Sequence, residues 1–328
     1  MLGPSSARLG TKPGGTPVRK AGAVSGWSKR QHRTAYWMIL PAVVAMMLVH
    51  YIPMMWGFYI SLHDVNLFTM ADWMHAPFVG LRNFVDAFNP STTTGARALR
   101  ALLNITLYSA VTVSAGYLIG LAVALLLNQQ FWGRTFVRGL ILLPYITPDS
   151  VAYKVWTFIF QSRIGILNRY LLQWGLVTEP PIWLIGPPAL WAVVVASVWK
   201  GWPFSALILL AALQKIPQDL YEAARVDGAS TWQQFRWITM PHLQSVTVTL
   251  LLMSILWNFN AFNQFYVMLG RDPGVAAEVP STLILREAFT NLQYGIGSAL
   301  SIILMLVLLV VTVVYLRVLR ATAGAEEV

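Results

Sequence analysis

The sequence predicts an all-α, polytopic membrane protein with six transmembrane helices in one domain over residues 34–320. Three observations carry that prediction. The chain of 328 residues is 56% hydrophobic and only 11% charged, and its mean hydropathy of +0.58 exceeds what a water-soluble core needs. Apolar runs as long as the ~20 helical residues that cross a bilayer recur at 35–60, 101–127, 139–160, 189–213, 243–269 and 296–317. None alternates with a period of two, and only helices or closed barrels satisfy every backbone group in lipid, so the runs read as helices.

The segment before the first run carries Arg8, Lys12, Arg19, Lys20, Lys29, Arg30 and Arg33 without one acid. By the positive-inside rule it is cytoplasmic, and an even number of spans returns the tail at 321–328 to the same side. Arg134, Arg138, Arg317 and Arg320 agree with that orientation. Residues 1–33 are rich in Gly, Ser and Pro and read as a disordered basic tail beside lipid headgroups. The first apolar run is too long and begins too far in for a cleavable signal, so it is expected to remain as an anchor. The net charge of +10 is a topology signal, because the basic residues are scattered along membrane flanks; nucleic acid is not an expected partner.

Composition also narrows the chemistry. Cysteine is absent, which removes disulfides, thiolate metal sites and cysteine nucleophiles. His32, His50, His63, His75 and His242 fall in separate segments without ligand spacing, and no metal site is expected. No paired carboxylates or catalytic triad stand out, so the chain does not read as an enzyme. No GxxxxGK[ST] occurs, so any ATP and Mg would be bound by a partner, and no cofactor is assigned to this chain.

Between the fourth and fifth runs the sequence turns polar over 214–242, with EAARVDGASTWQQFRWITMP at its centre. Pro217 and Asp219 open a short helix that runs through DLYEAARV to Asp227, and Gly228 permits a turn. Ser230 and Gln233 have capping-box spacing, restarting a helix expected to end before Pro241. Glu222 sets a carboxylate beside the nearly bare surface of Ala223 and Ala224, a face that can enter a partner's groove closely. Without further information the loop also fits an amphipathic segment lying on headgroups.

Glu222-Ala223-Ala224, then Gly228, Ile238 and Met240-Pro241 at fixed spacing resemble the EAA motif of binding-protein-dependent ABC importer permeases. Met240 stands where the family has Leu, a swap that keeps apolar volume. The segments SVWKGWPFSALILLAALQKIPQDLYEAARVDGAS and LWNFNAFNQFYVM are similar to the carbohydrate-importer permeases, and the likeness covers most of the chain after residue 35. That resemblance implies the type I ABC importer permease fold in a bacterial or archaeal cell membrane. It implies a coupling helix docked on a cytoplasmic ATPase dimer through Glu222, Ala223, Ala224, Asp227 and Gly228. It further implies a second permease subunit and an extracytoplasmic solute-binding protein, because the outward loops at 61–100, 161–188 and 270–295 are too short for recognition domains of their own.

The fifth run holds Ser254, Trp257, Asn258, Asn260, Asn263 and Gln264, more polarity than a lipid-facing helix needs. Residues 254, 257, 258 and 261 share a helical face, offering an indole, an amide and a hydroxyl as a sugar requires; helix-to-helix glue fits the same spacing. The family resemblance implies sugar contacts at Trp199, Gly201 and Phe204 on the fourth helix and at Ser254, Trp257 and Asn258 on the fifth. Ala261 replaces a family asparagine, so maltose itself is not implied. Lys200, near mid-helix, needs a partner or water and is open to reading as a contact for an anionic substrate. Pro144 and Pro148 flank a candidate gate beside Asp149. Small residues in GIGSALS (295–301) are expected to pack against the second permease. The expected function is half of the translocation path of an ATP-driven sugar importer. A permease for glycerol-phosphate-like solutes is the near alternative, and an ion-coupled secondary transporter the distant one, with few intramembrane acids to support it.

Overall fold

The computed structural model describes residues 29–323, and every regular element among them is helical. Its contacts divide at Met54 into two units. The first contributes α1 (Lys29–Met46) and a π turn at Met47–Tyr51; the chain continues into α2 (Ile52–Ser61), completing an apolar helix over Tyr36–Ser61. The tails expected at 1–33 and 321–328 lie largely outside the described residues, and what is described of them is helix, from Lys29 and up to Ala323.

In the second unit, α3 (Arg82–Phe88) leads to α4 (Thr93–Asn128), a 36-residue helix capped by the Thr92 hydroxyl, which accepts from the Gly95 amide. The segment expected to form a third span is not one helix. It is α5 (Arg134–Leu140), α6 (Leu143–Ile146) and α7 (Asp149–Ile159), with extended backbone at Thr147 and Pro148. Proline donates no amide, and it forces the residue before it out of the helical region, so Pro148 ends α6 at Ile146 and α7 restarts at Asp149. Among the described residues, five helices are long and apolar enough to cross a membrane; the remaining expected span is this broken one.

After α8 (Ile166–Gln173) comes α9 (Pro188–Leu213), which packs along α4. They approach closely at Gly120, where an added Cβ would lie 2.6 Å from the Ser205 Cβ and 2.9 Å from the Ala206 amide nitrogen. The polar loop forms α10 (Gln218–Val226), a corner, and α11 (Thr231–Gln234). Helix does not end before Pro241: a π turn at Phe235–Thr239 joins α11 to α12 (Met240–Phe259). The wider π turn ends two positions before Pro241, the residue that cannot donate, giving its ring room without breaking the rod. The fifth run is in turn broken at 260–262, before α13 (Asn263–Leu269).

The chain closes with α14 (Pro280–Leu285), a π turn at Arg286–Thr290 and α15 (Tyr294–Ala323). Three of the small residues opening α15 pack within the chain. A Cβ on Gly297 would come 2.9 Å from that of Ala288, one on Gly295 2.6 Å from the His63 carbonyl oxygen, and Ala299 is fully buried. The 270–295 connection is tied to α4. Arg97 donates from Nε and Nη2 to both carboxylate oxygens of Glu278, each at 2.7 Å. Asn104 donates to the carbonyls of Val275 and Glu278 at 3.0 and 2.8 Å.

Two apolar clusters divide the α4/α9 pair along its length. One gathers Ile105, Tyr108, Val193, Phe265 and Val279, and the other Leu121, Leu127, Leu209, Leu213 and Leu243. Residues 112–116 of α4 and 197–205 of α9 fall between them, where the polar site lies.

Candidate functional site

A cavity of about 340 Å³ opens between the two clusters, midway along the helices. Gly201, Phe204, Ser254, Trp257 and Asn258, all singled out in the sequence, line it. Trp199 does not: it meets Trp156 edge-on at 5.8 Å. Ala261 lies beyond the end of α12 and is buried in the first cluster, so it shares no face with Ser254 and Trp257. Thr112, Val113 and Gly116 of α4 join the lining, as do Tyr145 and Asp149 from the broken segment and Ser197, Lys200 and Ser205 of α9. Sequence reasoning missed the α4 residues because Thr and Gly carry no distinctive signal inside a long apolar run.

The aromatic wall is continuous. Tyr145 stacks on Phe204 at 5.5 Å and 24°, and Phe204 meets Trp257 at 5.5 Å. Trp257 keeps 53% of its surface exposed, a large indole face with no protein over it. Opposite chemistry sits beside it. Asn258 donates from Nδ2 to the Thr112 hydroxyl at 2.6 Å, and Thr112 donates onward to the Tyr108 carbonyl at 2.6 Å. This fixes the amide, directing its donor to α4 and leaving Oδ1 as an acceptor. Ser254 donates to the Leu250 carbonyl at 2.8 Å, so its oxygen also remains an acceptor. An added Cβ on Gly201 would meet nothing within 4 Å; glycine there keeps the cavity wide.

Lys200 is the charged residue on the α9 wall, and the structure supplies its partners. Its Nζ lies 3.0 Å from Asp149 Oδ1 and donates to the carbonyl oxygens of Thr147 at 2.7 Å, Tyr145 at 3.3 Å and Pro144 at 3.4 Å. Those carbonyls belong to the segment where the prolines interrupt the helix. One side chain thus satisfies the acceptors freed by the break and pins the segment to α9.

The polar loop at 214–242 is stiff at both joints. Gly228, at φ +80°, closes α10 with an αL turn in which the Ala229 amide reaches back to the Ala224 carbonyl at 2.8 Å, a Schellman pattern. Ser230 and Gln233 form the reciprocal capping box, the Gln233 amide donating to Ser230 Oγ at 3.3 Å and the Ser230 amide to Gln233 Oε1 at 2.7 Å. Tyr221 hydrogen-bonds Thr239 at 2.9 Å, bracing α10 against the helix that carries Trp257 and Asn258. Glu222, Ala223, Asp227 and Gly228 are exposed and Ala224 half-buried, so the face of α10 stands free.

A helical bundle with a mid-length polar cavity and a stiff, projecting elbow is the architecture of an importer permease, and residues 116–323 match the family described as the binding-protein-dependent transport system inner membrane component. The chain belongs to that family. More particularly, it is 38% identical over 295 residues to the trehalose/maltose transport system permease protein MalF of Thermococcus litoralis, covering 89% of this chain and 95% of the relative. It is also 30% identical over 304 residues to the trehalose transport system permease protein SugA of Mycobacterium tuberculosis, covering 92% and 94%. A solved bacterial ABC transporter for import of the acidic polysaccharide alginate contains a chain with the same fold, at a TM-score of 0.75, 23% identity, and coverage of 89% and 96%.

Proposed function

We propose that this chain is a permease subunit of an ATP-driven importer for a di- or oligosaccharide, forming half of the pathway with a second permease. The observation that carries this reading is the aromatic-and-amide cavity midway along the bundle. A pyranose presents flat C–H faces that suit Trp257, Phe204 and Tyr145, and hydroxyls that suit Asn258 and Ser254. Relatives named for trehalose and maltose transport support the same class. A separate ATPase dimer drives transport by docking on Glu222, Ala223, Ala224, Asp227 and Gly228, and α10, braced by Tyr221 against Thr239, passes that motion to α12. The ATPase binds ATP and Mg; a solute-binding protein delivers the sugar on the opposite side. Both termini and the loop at 214–242 are cytoplasmic.

The test is uptake of labelled maltose and trehalose by proteoliposomes holding the whole complex and its binding protein. ATP inside is required, ionophores are without effect, and a Walker-site substitution in the ATPase abolishes uptake. Trp257→Ala and Asn258→Ala each lower uptake at least tenfold. Uptake driven by an ion gradient without ATP overturns the reading.

A further inference from the structure

We propose that Asp149 is a substrate-contacting hydrogen-bond acceptor held in place by Lys200, and that the pair makes this permease select uncharged polyhydroxyl solutes over acidic ones. The inference rests on the saccharide reading and concerns the same cavity.

Lys200 has no donor to spare. An ammonium group has three protons, and four oxygens surround this one: the Thr147, Tyr145 and Pro144 carbonyls and Asp149 Oδ1. No proton remains for a solute anion. The lysine side chain is only 11% exposed, while that of Asp149 is 56% exposed, so the cavity meets the carboxylate rather than the ammonium. Asp149 Oδ1 takes the ion pair, and Oδ2 has no hydrogen-bond partner among the described residues.

Three further polar groups on the wall point the same way. Asn258 turns its amide donor to Thr112, Thr112 gives its proton to the Tyr108 carbonyl, and Ser254 gives its own to Leu250. What these groups offer the cavity is acceptor oxygen beside aromatic faces. Sugar hydroxyls donate well to such a lining, and a carboxylate accepts them more strongly than a neutral oxygen does. A solute carboxylate brings no proton for those oxygens and is repelled by Asp149, which outweighs what the Trp257 indole N–H and the Tyr145 hydroxyl can donate to it. A buried lysine that suggests anion binding in the sequence therefore does the reverse once its partners are known.

Maltitol and maltobionate test this, since they differ only in a CH2OH against a carboxylate. Equilibrium dialysis of each against the complete importer in lipid nanodiscs, without the binding protein, reads the cavity itself. The wild type is expected to hold maltitol at least tenfold more tightly than maltobionate. Asp149→Asn, which keeps the shape and removes the charge, reduces that preference at least tenfold, mostly by tightening maltobionate. Equal binding of the two by the wild type overturns the proposal even if no variant folds; so does an unchanged preference in a monodisperse Asp149→Asn complex. Binding of neither compound, together with no uptake of maltose or trehalose, overturns the saccharide reading instead.

Discussion

Substituting Gly228 separates folding from coupling. At φ +80° the residue occupies the left-handed region, which costs a side-chain-bearing residue about 1–2 kcal/mol, less for Asn or Asp. An added Cβ meets nothing within 4 Å, so no overpacking adds to that cost. Gly228→Asp is thus expected to lose about 1 kcal/mol, small beside the roughly 5–15 kcal/mol that holds a folded domain. Gly228→Asn carries the same backbone cost without the charge and serves as its control. Both variants should reach the membrane in normal amounts and melt close to the wild type. In proteoliposomes, Gly228→Asp should lose more than tenfold of its uptake and its sugar-stimulated ATP hydrolysis, and Gly228→Asn distinctly less. Full uptake by Gly228→Asp would refute the docking role of the corner, and a collapse in melting temperature would refute the argument that the corner is sterically free.

Other perturbations test the scaffold. Gly120→Ala forces a Cβ to within 2.6 Å of Ser205 and should destabilise by about 1–3 kcal/mol in a thermal melt, whereas Gly116→Ala, with nothing within 4 Å, should leave the midpoint nearly unchanged. Arg97→Met leaves Glu278, whose side chain is 1% exposed, without its bidentate partner; the loss of about 3–5 kcal/mol expected for a broken buried pair would appear as early protease cleavage in 270–295. The hydrogen bond from His75 to Asp72 raises the histidine's pKa above its ordinary 6.5. The folded form therefore favours protonated His75: the contact is fully present at low pH and is lost as pH rises through the raised value. An NMR titration should find that midpoint, and Asp72→Asn should lower it.

How much was legible in the sequence varied with the physics of each element. Long apolar runs and the reciprocal Ser230/Gln233 cap are local signals, and the structure has them. The continuity through Pro241 was hidden, because proline normally ends a helix and nothing local announces a π turn that accommodates it. Hydropathy made residues 139–160 look like one span, although Pro144 and Pro148 marked where it breaks. Side-chain direction was least legible. Trp199 and Lys200 are neighbours in sequence, yet the lysine reaches the cavity wall and the tryptophan meets Trp156 instead. The partners of Lys200 lie more than fifty residues away on a segment whose carbonyls are free only because prolines interrupt it. Periodicity within α9 cannot reveal such a long-range match.

The central claim is that α10 takes its motion from a nucleotide motor on the inner side of the membrane. Because the chain contains no cysteine, Ala223→Cys provides a single reactive site on the exposed face of that helix. Paired with one cysteine introduced in the cleft of the ATPase, it should form a disulfide in the assembled complex and arrest ATP-driven uptake, with release on reduction. Labelling of Ala223→Cys by a membrane-impermeant maleimide from outside intact cells, with no cross-link to the ATPase, would contradict the account.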